Sequence, residues 1–271
     1  MTNLQDILYN LRNTVPLVHC ITNYVTVNDC ANSLLAIGGS PIMADDIEDV
    51  KDITSICNAL DINIGTLNSR TIKSMLEAGK IANKLGHPCV LDPVGAGASK
   101  LRTQTAKQLI NEINFTVIRG NISEIKALAF GSGTVRGVDA AEVDTVTDEN
   151  IEFTIKFLRE FSIKTGSVIV VTGAIDLIID SNVAYSVRNG NPKMSKVCGT
   201  GCMLSAIMPA FLCAADTPVS GALAAVCAMG LCGEMAFNPN EGNATYKTRI
   251  IDELYNLDGE TLENGAKYEI R

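Results

Sequence analysis

The run PCVLDPVG, residues 88–95, decides how the rest of the chain is read. Cys89, Val90 and Leu91 follow one another with no polar residue between them, and Asp92 and Pro93 then end the run. A strand with one wet face alternates apolar and polar residues, whereas a strand covered on both faces is continuously apolar, as in a parallel sheet between helices. Pro93 has no amide to give a neighbouring strand, so the strand stops where the aspartate stands. Similar short runs recur at 16–22 (PLVHCIT), 40–44 (SPIMA), 59–65 (ALDINIG), 115–121 (FTVIRGN) and 167–173 (SVIVVTG).

Helical patterns lie between these runs. Residues 69–84 place Ile72, Met75, Leu76 and Gly79 on one face, and residues 148–164 do the same with Ile151, Ile155 and Leu158. Thr147 or Asp148 is positioned to cap the second helix, with Glu149 in its first turn. The segments 176–180 and 183–187, joined by Ser181-Asn182, read as a hairpin at one edge of the sheet. Met203, Leu204, Ile207, Met208, Phe211 and Leu212 recur with the period of an amphipathic helix. The β-then-α order predicts an α/β fold in three layers, with a mainly parallel central sheet covered by helices on both faces. No Pro/Gly/Ser linker divides residues 1–271, so a single domain is expected.

Composition narrows the function. The 271 residues are 46% apolar and 19% charged, which suits a packed globular chain. A net charge of −8 and a pI near 4.9 argue against nucleic acid or an anionic membrane as partner. The opening MTNLQDILYNLRNTV lacks the basic and apolar regions of a secretory signal. The longest apolar stretch, Gly221 to Gly233, is short and rich in small residues, which is weak for a membrane span. Nine cysteines without an export signal point to reduced thiols in the cytoplasm. Cys57, Cys213, Cys227 and Cys232 lie in helix-like apolar contexts and read as small buried hydrophobes.

Ligands of open α/β sheets gather at the carboxyl ends of the strands. Here those ends carry Asp92, then Arg119, Asn121 and Glu124, then Thr172. Separately, Asp92 reads as a turn carboxylate, Glu124 as an acid answering a helix dipole and Arg119 as an ion-pair residue. Together, two carboxylates could hold Mg2+ with retained waters, and the arginine could clamp a phosphate.

A second stretch, KVCGTGCML at 196–204, sets Gly199, Thr200 and Gly201 at the start of the apolar helix. Glycines allow close backbone approach, and free amides at a helix start favour an anion such as phosphate. Cys198 and Cys202 make a poor metal clip, because only His19 and His87 exist and no second ligand pair has suitable spacing. Three residues between them, where dithiol oxidoreductases have two, also weaken a redox reading. Both histidines read as structural or surface residues.

Five segments together, PLVHCITNYVTVNDCANSLLAIGGSPIMA, VLDPVGAGAS, VIRGNISEI, VVTGAIDLIID and CGTGCMLSA, resemble the hydroxyethylthiazole kinases of thiamine biosynthesis and salvage. The resemblance runs in order from about residue 14 to the last helices. It implies a ribokinase-like fold and ATP-dependent phosphorylation of the primary alcohol of 4-methyl-5-(2-hydroxyethyl)thiazole. It also implies a homotrimer with sites between subunits. By motif, Met43, Asn23, Val25 and Gly199 would meet the thiazole substrate, and Arg119, Thr172, Asn121 and Gly201 would meet ATP. Asp92 and Glu124 would organise magnesium. Cys202 would stand where other ribokinase-like kinases carry an aspartate base. One departure is Cys198, where the family usually has threonine, and a hydroxyl there would be replaced by a weaker thiol donor. Readings in other classes are an ATP-dependent dehydratase of hydrated nicotinamide nucleotides and a non-catalytic thiazole or nucleotide sensor. A hydroxymethylpyrimidine kinase is the nearer sibling.

Overall fold

The computed structural model describes residues 3–130 and 145–271. Each of the six short β-rich runs forms a strand: β1 (Leu17–Ile21), β2 (Ser40–Ile42), β3 (Ala59–Asn63), β4 (Cys89–Asp92), β5 (Val117–Gly120) and β6 (Val168–Val171). They pair in parallel in the order β2-β1-β3-β4-β5-β6. The expected hairpin follows as β7 (Asp176–Ile179) and β8 (Ala184–Val187), antiparallel to each other, with β7 antiparallel to β6. It is not the edge, however. A short strand near the end of the chain, β9 (Tyr268–Ile270), pairs antiparallel with β8 and completes nine strands among the described residues.

The helices are α1 (Leu4–Thr14), α2 (Val27–Ile37), α3 (Val50–Ile56), α4 (Ser69–Leu85), α5 (Lys100–Glu112), α6 (Ile122–Phe130) and α7 (Ile151–Thr165). After the hairpin come α8 (Thr200–Ala214), α9 (Pro218–Met235), α10 (Asn243–Asn256) and α11 (Gly259–Gly265). They bury both faces of the sheet. Val18, Val90, Val117 and Val170 lie in one core with α1, α2, α8 and α9. Ile62, Leu91, Ile118 and Ile169 lie in the other with side chains of α4 to α7. Adjacent residues of one strand thus enter different cores, which is why the runs show no alternation.

Helix details differ from the sequence expectation. In α4 the buried face is Thr71, Met75, Ala78, Gly79 and Ala82, with Ile72 and Leu76 at its margin. Its N-terminus is fixed by a capping box between Asn68 and Thr71. α7 begins after Asn150, later than a cap at Thr147 or Asp148 would place it, because the Asn150 side chain accepts the Thr147 amide at 2.9 Å and closes a turn first. The expected amphipathic helix α8 is buried on every side from Met203 to Leu212, so its period does not mark a wet face. α9 is longer than the apolar stretch suggested and is long and apolar enough to cross a membrane by length and composition. It is instead 83% buried inside the fold. At the other end of the chain, α1 has its Leu4 and Gln5 amides donating to Glu263 Oε2 of α11 at 2.7 and 3.2 Å.

The small residues of α9 let it approach α8 closely. A Cβ on Gly221 would lie 2.9 Å from the Phe211 carbonyl oxygen and 3.0 Å from the Leu212 Cα, so relief requires backbone movement. Overpacking of about 1–3 kcal/mol outweighs the roughly 1 kcal/mol by which alanine is the better helix former. Gly221→Ala is therefore expected to lower the denaturant midpoint in an equilibrium unfolding titration, and an unchanged or raised midpoint would show that the two helices are not in hard contact.

Candidate active site

The carboxyl ends of β3, β4, β5 and β6 meet beneath the N-terminus of α8. Asp92, the last residue of β4, is almost wholly buried, at 1% exposure. Its Oδ2 accepts from Asn63 Nδ2 at 2.9 Å, Ser205 Oγ at 2.8 Å and Arg119 Nη1 at 3.3 Å. Its Oδ1 has no partner. Burial raises the Asp92 pKa while Arg119 and Ser205 pull it down, and the net shift is upward. Arg119, also buried, extends Nη2 to the Thr172 hydroxyl at 2.6 Å. Gly201 leaves the room for this guanidinium, since a Cβ there would stand 2.8 Å from both of its terminal nitrogens.

Asn121 and Glu124 open α6 as a reciprocal pair. Glu124 Oε2 accepts the Asn121 amide and Asn121 Oδ1 accepts the Glu124 amide, both at 2.9 Å. Glu124 Oε1 accepts the Gly95 amide at 2.7 Å, so this carboxylate joins the β4 and β5 loops. Each of its oxygens retains a lone pair for a further donor or a cation.

Cys202, in the first turn of α8, accepts from Asn23 Nδ2 at 3.0 Å. The same amide nitrogen lies 3.2 Å from Asn63 Oδ1, and Asn23 Oδ1 accepts from the Thr26 hydroxyl at 3.1 Å. A helix N-terminus lowers a thiol pKa, but here burial and the nearby Asp92 carboxylate win and push it up. Gly199 caps α8 in the left-handed region at φ 99°, and a Cβ on it would meet Thr26 Cγ2 at 2.7 Å. The Thr200 hydroxyl is spent on the Met194 carbonyl at 3.2 Å, which leaves the amides of α8 as the donors available to an anion.

The sequence-derived residues fall into two groups. Arg119, Thr172 and Gly201 line a cleft of about 550 Å³, together with Asp176, Arg188, the Asn189–Pro192 turn and Met229. Cys202, Asn23, Asp92 and Gly199 lie on the β1, β3 and β4 side of α8. Met43 is half-buried just beyond β2, against the core that includes α8. Val25 is 67% exposed and is not brought to the site within one chain. Cys198 is exposed and well separated in role from Cys202. His19 is structural as expected, fully buried between the Thr54 hydroxyl at 2.9 Å and the Ala44 carbonyl at 2.8 Å. Burial lowers its pKa and keeps it neutral.

The family model of hydroxyethylthiazole kinases matches residues 8–260. The chain belongs to this family. A hydroxyethylthiazole kinase of Clostridium acetobutylicum is 61% identical over 270 residues, covering 98% of this chain and 99% of that protein. One from Desulfovibrio desulfuricans is 48% identical over 278 residues, with 98% of each chain covered. The solved structure of a hydroxyethylthiazole kinase protein from Pyrococcus horikoshii OT3 superposes over the full length of both chains with a TM-score of 0.88 at 34% identity. A pyridoxal kinase of Staphylococcus aureus shares the fold alone, with a TM-score of 0.61 at 14% identity over 94% of this chain and 97% of that one. The fold is thus ribokinase-like, as the resemblance implied.

Several residues of the candidate site were missed in the sequence. Asn63 ends β3 as Asp92 ends β4, so the same strand-end signal was there to find it. Ser205 follows Cys202 by one helical turn and was hidden in an apolar pattern. Asp61 lies two residues before Asn63, on the same face of β3, fully buried and with neither carboxylate oxygen partnered. Its burial, reinforced by Asp92, holds its pKa well above the ordinary carboxylate value. In the cleft, Asp176 Oδ1 accepts the Gly173 amide at 2.8 Å, and burial pushes the Asp176 pKa up to about 7.

These two acids fix the sign of a pH dependence. A carboxyl whose folded pKa exceeds its unfolded value binds more protons when folded, so stability falls as pH rises between the two values. Relative to Asp176→Asn, the parent chain is expected to lose stability from about pH 4 to about pH 7 and then level off. Relative to Asp61→Asn the parent is likewise expected to lose stability as pH rises above the ordinary carboxylate range. Denaturant titrations across pH check both, and parallel stability curves would refute the assignment.

Proposed function

We propose that the chain transfers the γ-phosphoryl group of ATP to the primary hydroxyl of 4-methyl-5-(2-hydroxyethyl)thiazole, giving the thiazole phosphate used in thiamine biosynthesis or salvage. The observation that carries this reading is membership of the hydroxyethylthiazole kinase family over residues 8–260. One sheet runs through the described residues, and we read the chain as one kinase domain. All nine cysteines are free thiols, in keeping with the cytoplasm.

Phosphoryl transfer through a loose transition state asks for positioning and charge neutralisation. In this reading the cleft takes ATP, with Arg119 and Thr172 at its phosphates, Asn121 near by and the Gly199–Gly201 segment at the transferring group. Met43 and Asn23 receive the thiazole. The acceptor oxygen forms the new bond to phosphorus as the bond from phosphorus to the leaving ADP oxygen breaks. Asp92 and Glu124 fit a magnesium role, since Asp92 Oδ1 is an unpartnered buried acceptor and Glu124 keeps free lone pairs. Bound there, Mg2+ would neutralise phosphate charge while retaining several waters. The exposed Val25, read as a thiazole contact, supports a site completed by a second copy of the chain, in keeping with the homotrimer that the family resemblance implies.

Cys202 holds the acceptor side through Asn23. Its raised pKa leaves the thiol largely protonated at neutral pH, so its part is positioning the hydroxyl, with proton acceptance confined to the thiolate fraction. Release of ADP, followed with hydroxyethylthiazole and with hydroxymethylpyrimidine as acceptors, is expected with the thiazole only. Cys202→Ala should lower turnover without abolishing it, and Cys202→Asp should keep or raise it. Parent turnover should rise with pH through the alkaline range while the Asp variant stays flat there. Total loss in a folded Asp variant would rule out the base position.

The magnesium role has its own check. Asp92→Asn and Glu124→Gln are expected to shift the magnesium dependence of turnover to higher concentration. An unmoved titration in both variants would remove these residues from the metal site.

A further inference from the structure

We propose that Tyr24, Asp45 and Arg70 are positioning residues for the acceptor substrate, forming a clasp that ties together the loops after β1, β2 and β3. This rests on the reading of Asn23 and Met43 as the thiazole side of the site. The loop after β1 carries Asn23, whose amide reaches Cys202, and Tyr24 beside it. The loop after β2 carries Met43 and, two residues on, Asp45. The loop after β3 carries Gly65 and Thr66 and leads into α4, where Arg70 stands in the first turn.

The three loops close on one another through side chains. Arg70 makes a fork to Asp45, with Nη1 to Oδ1 and Nη2 to Oδ2 both at 3.1 Å. The Tyr24 hydroxyl donates to Asp45 Oδ2 at 3.0 Å, and Arg70 Nη2 reaches that hydroxyl at 3.4 Å. Arg70 Nη1 also lies 3.5 Å from Asp46 Oδ2. The Tyr24 amide donates to Thr66 Oγ1 at 3.1 Å. Gly65 leaves no spare room against Asn23, since a Cβ there would stand 2.8 Å from the Asn23 Cβ. Inside the fold, the Ala44 carbonyl is held by His19 Nε2 at 2.8 Å. The segment from Met43 to Asp46 is therefore gripped from the core by His19 and from the surface by Arg70.

A bidentate arginine–carboxylate pair fixes orientation as well as distance, which a single point charge does not. The clasp thus sets where Met43 and Asn23 stand, and with them the affinity for the thiazole, while the ATP cleft on the far side of α8 is untouched. The Arg70 side chain is about half-exposed, at 48%, so salt screens the clasp.

Steady-state kinetics with the full chain test this. Arg70→Gln is expected to raise the KM for hydroxyethylthiazole roughly two- to fivefold, as the loss of an exposed bidentate network implies, with no change in the KM for ATP. Arg70→Lys should recover part of the loss, and Tyr24→Phe should shift the same KM less and in the same direction. Parent KM for the thiazole should climb as salt is raised from about 0.05 M to about 0.5 M, and the Arg70→Gln value should not. A thiazole KM and salt response identical to the parent in Arg70→Gln, or an equal rise in the KM for ATP, would overturn the clasp. Met43→Ala separates the two layers of the inference. If it raises the thiazole KM and Arg70→Gln does not, the clasp alone fails. If it leaves that KM unmoved, the pocket reading fails and takes the clasp with it.

Discussion

The buried pair between Asp92 and Arg119 is the constraint on which the site is built. Two opposite charges are held 3.3 Å apart with almost no contact with water. Removing either partner from such a pair costs about 3–5 kcal/mol, because the other charge stays behind unpaired. The pair is also a junction. Through Asn63, Ser205 and Thr172 it joins β3, β4, β5, the end of β6 and the first turns of α8. The direction in which α8 presents its free amides is therefore tied to the same atoms that place the arginine. The amides at the start of α8 and the Arg119 guanidinium thus share one support.

Much of the fold was readable because a strand between two helix layers writes an unmistakable run of apolar residues. All six parallel strands were located from short β-rich runs, most of them continuous, although β3 carries Asp61 and Asn63, and the hairpin was located from its turn. What failed to show has physical causes too. β9 is three residues long and two of them, Glu269 and Ile270, are exposed, so no burial pattern marks it. α8 and α9 lie between layers, and a helix covered all round carries no polar face to give its orientation. Among the site residues, strand ends gave Asp92, Arg119 and Thr172 without any structure. The depth of Asp92 could not be read, because it is set by α8 lying over it, more than a hundred residues later in the chain. The Asn23–Cys202 contact spans 179 positions and leaves no local trace.

The loop ahead of α8 divides its work among its residues. Gly199 is needed for its left-handed backbone and its closeness to Thr26, and Gly201 for the space it leaves Arg119. Thr200 stabilises the turn from within. The two thiols that frame the loop are unlike: Cys198 points into solvent, and Cys202 is tied to Asn23 in a setting that disfavours its charged form. With the Thr200 hydroxyl engaged, the amides at the start of α8 and the Arg119 guanidinium are the donors left at this end of the helix.

The link between Glu263 and the first turn of α1 bears on how the protein is made. The amides of Leu4 and Gln5 are made long before the carboxylate that satisfies them, which comes 259 and 258 residues later. Until then α1 has only the Asn3 side chain to steady its start, and an isolated helix of eleven residues is marginal in water. Helices α8 and α9, which pack against it, also follow it by well over a hundred residues. Helix α1 therefore cannot complete its packing until these later segments have been made.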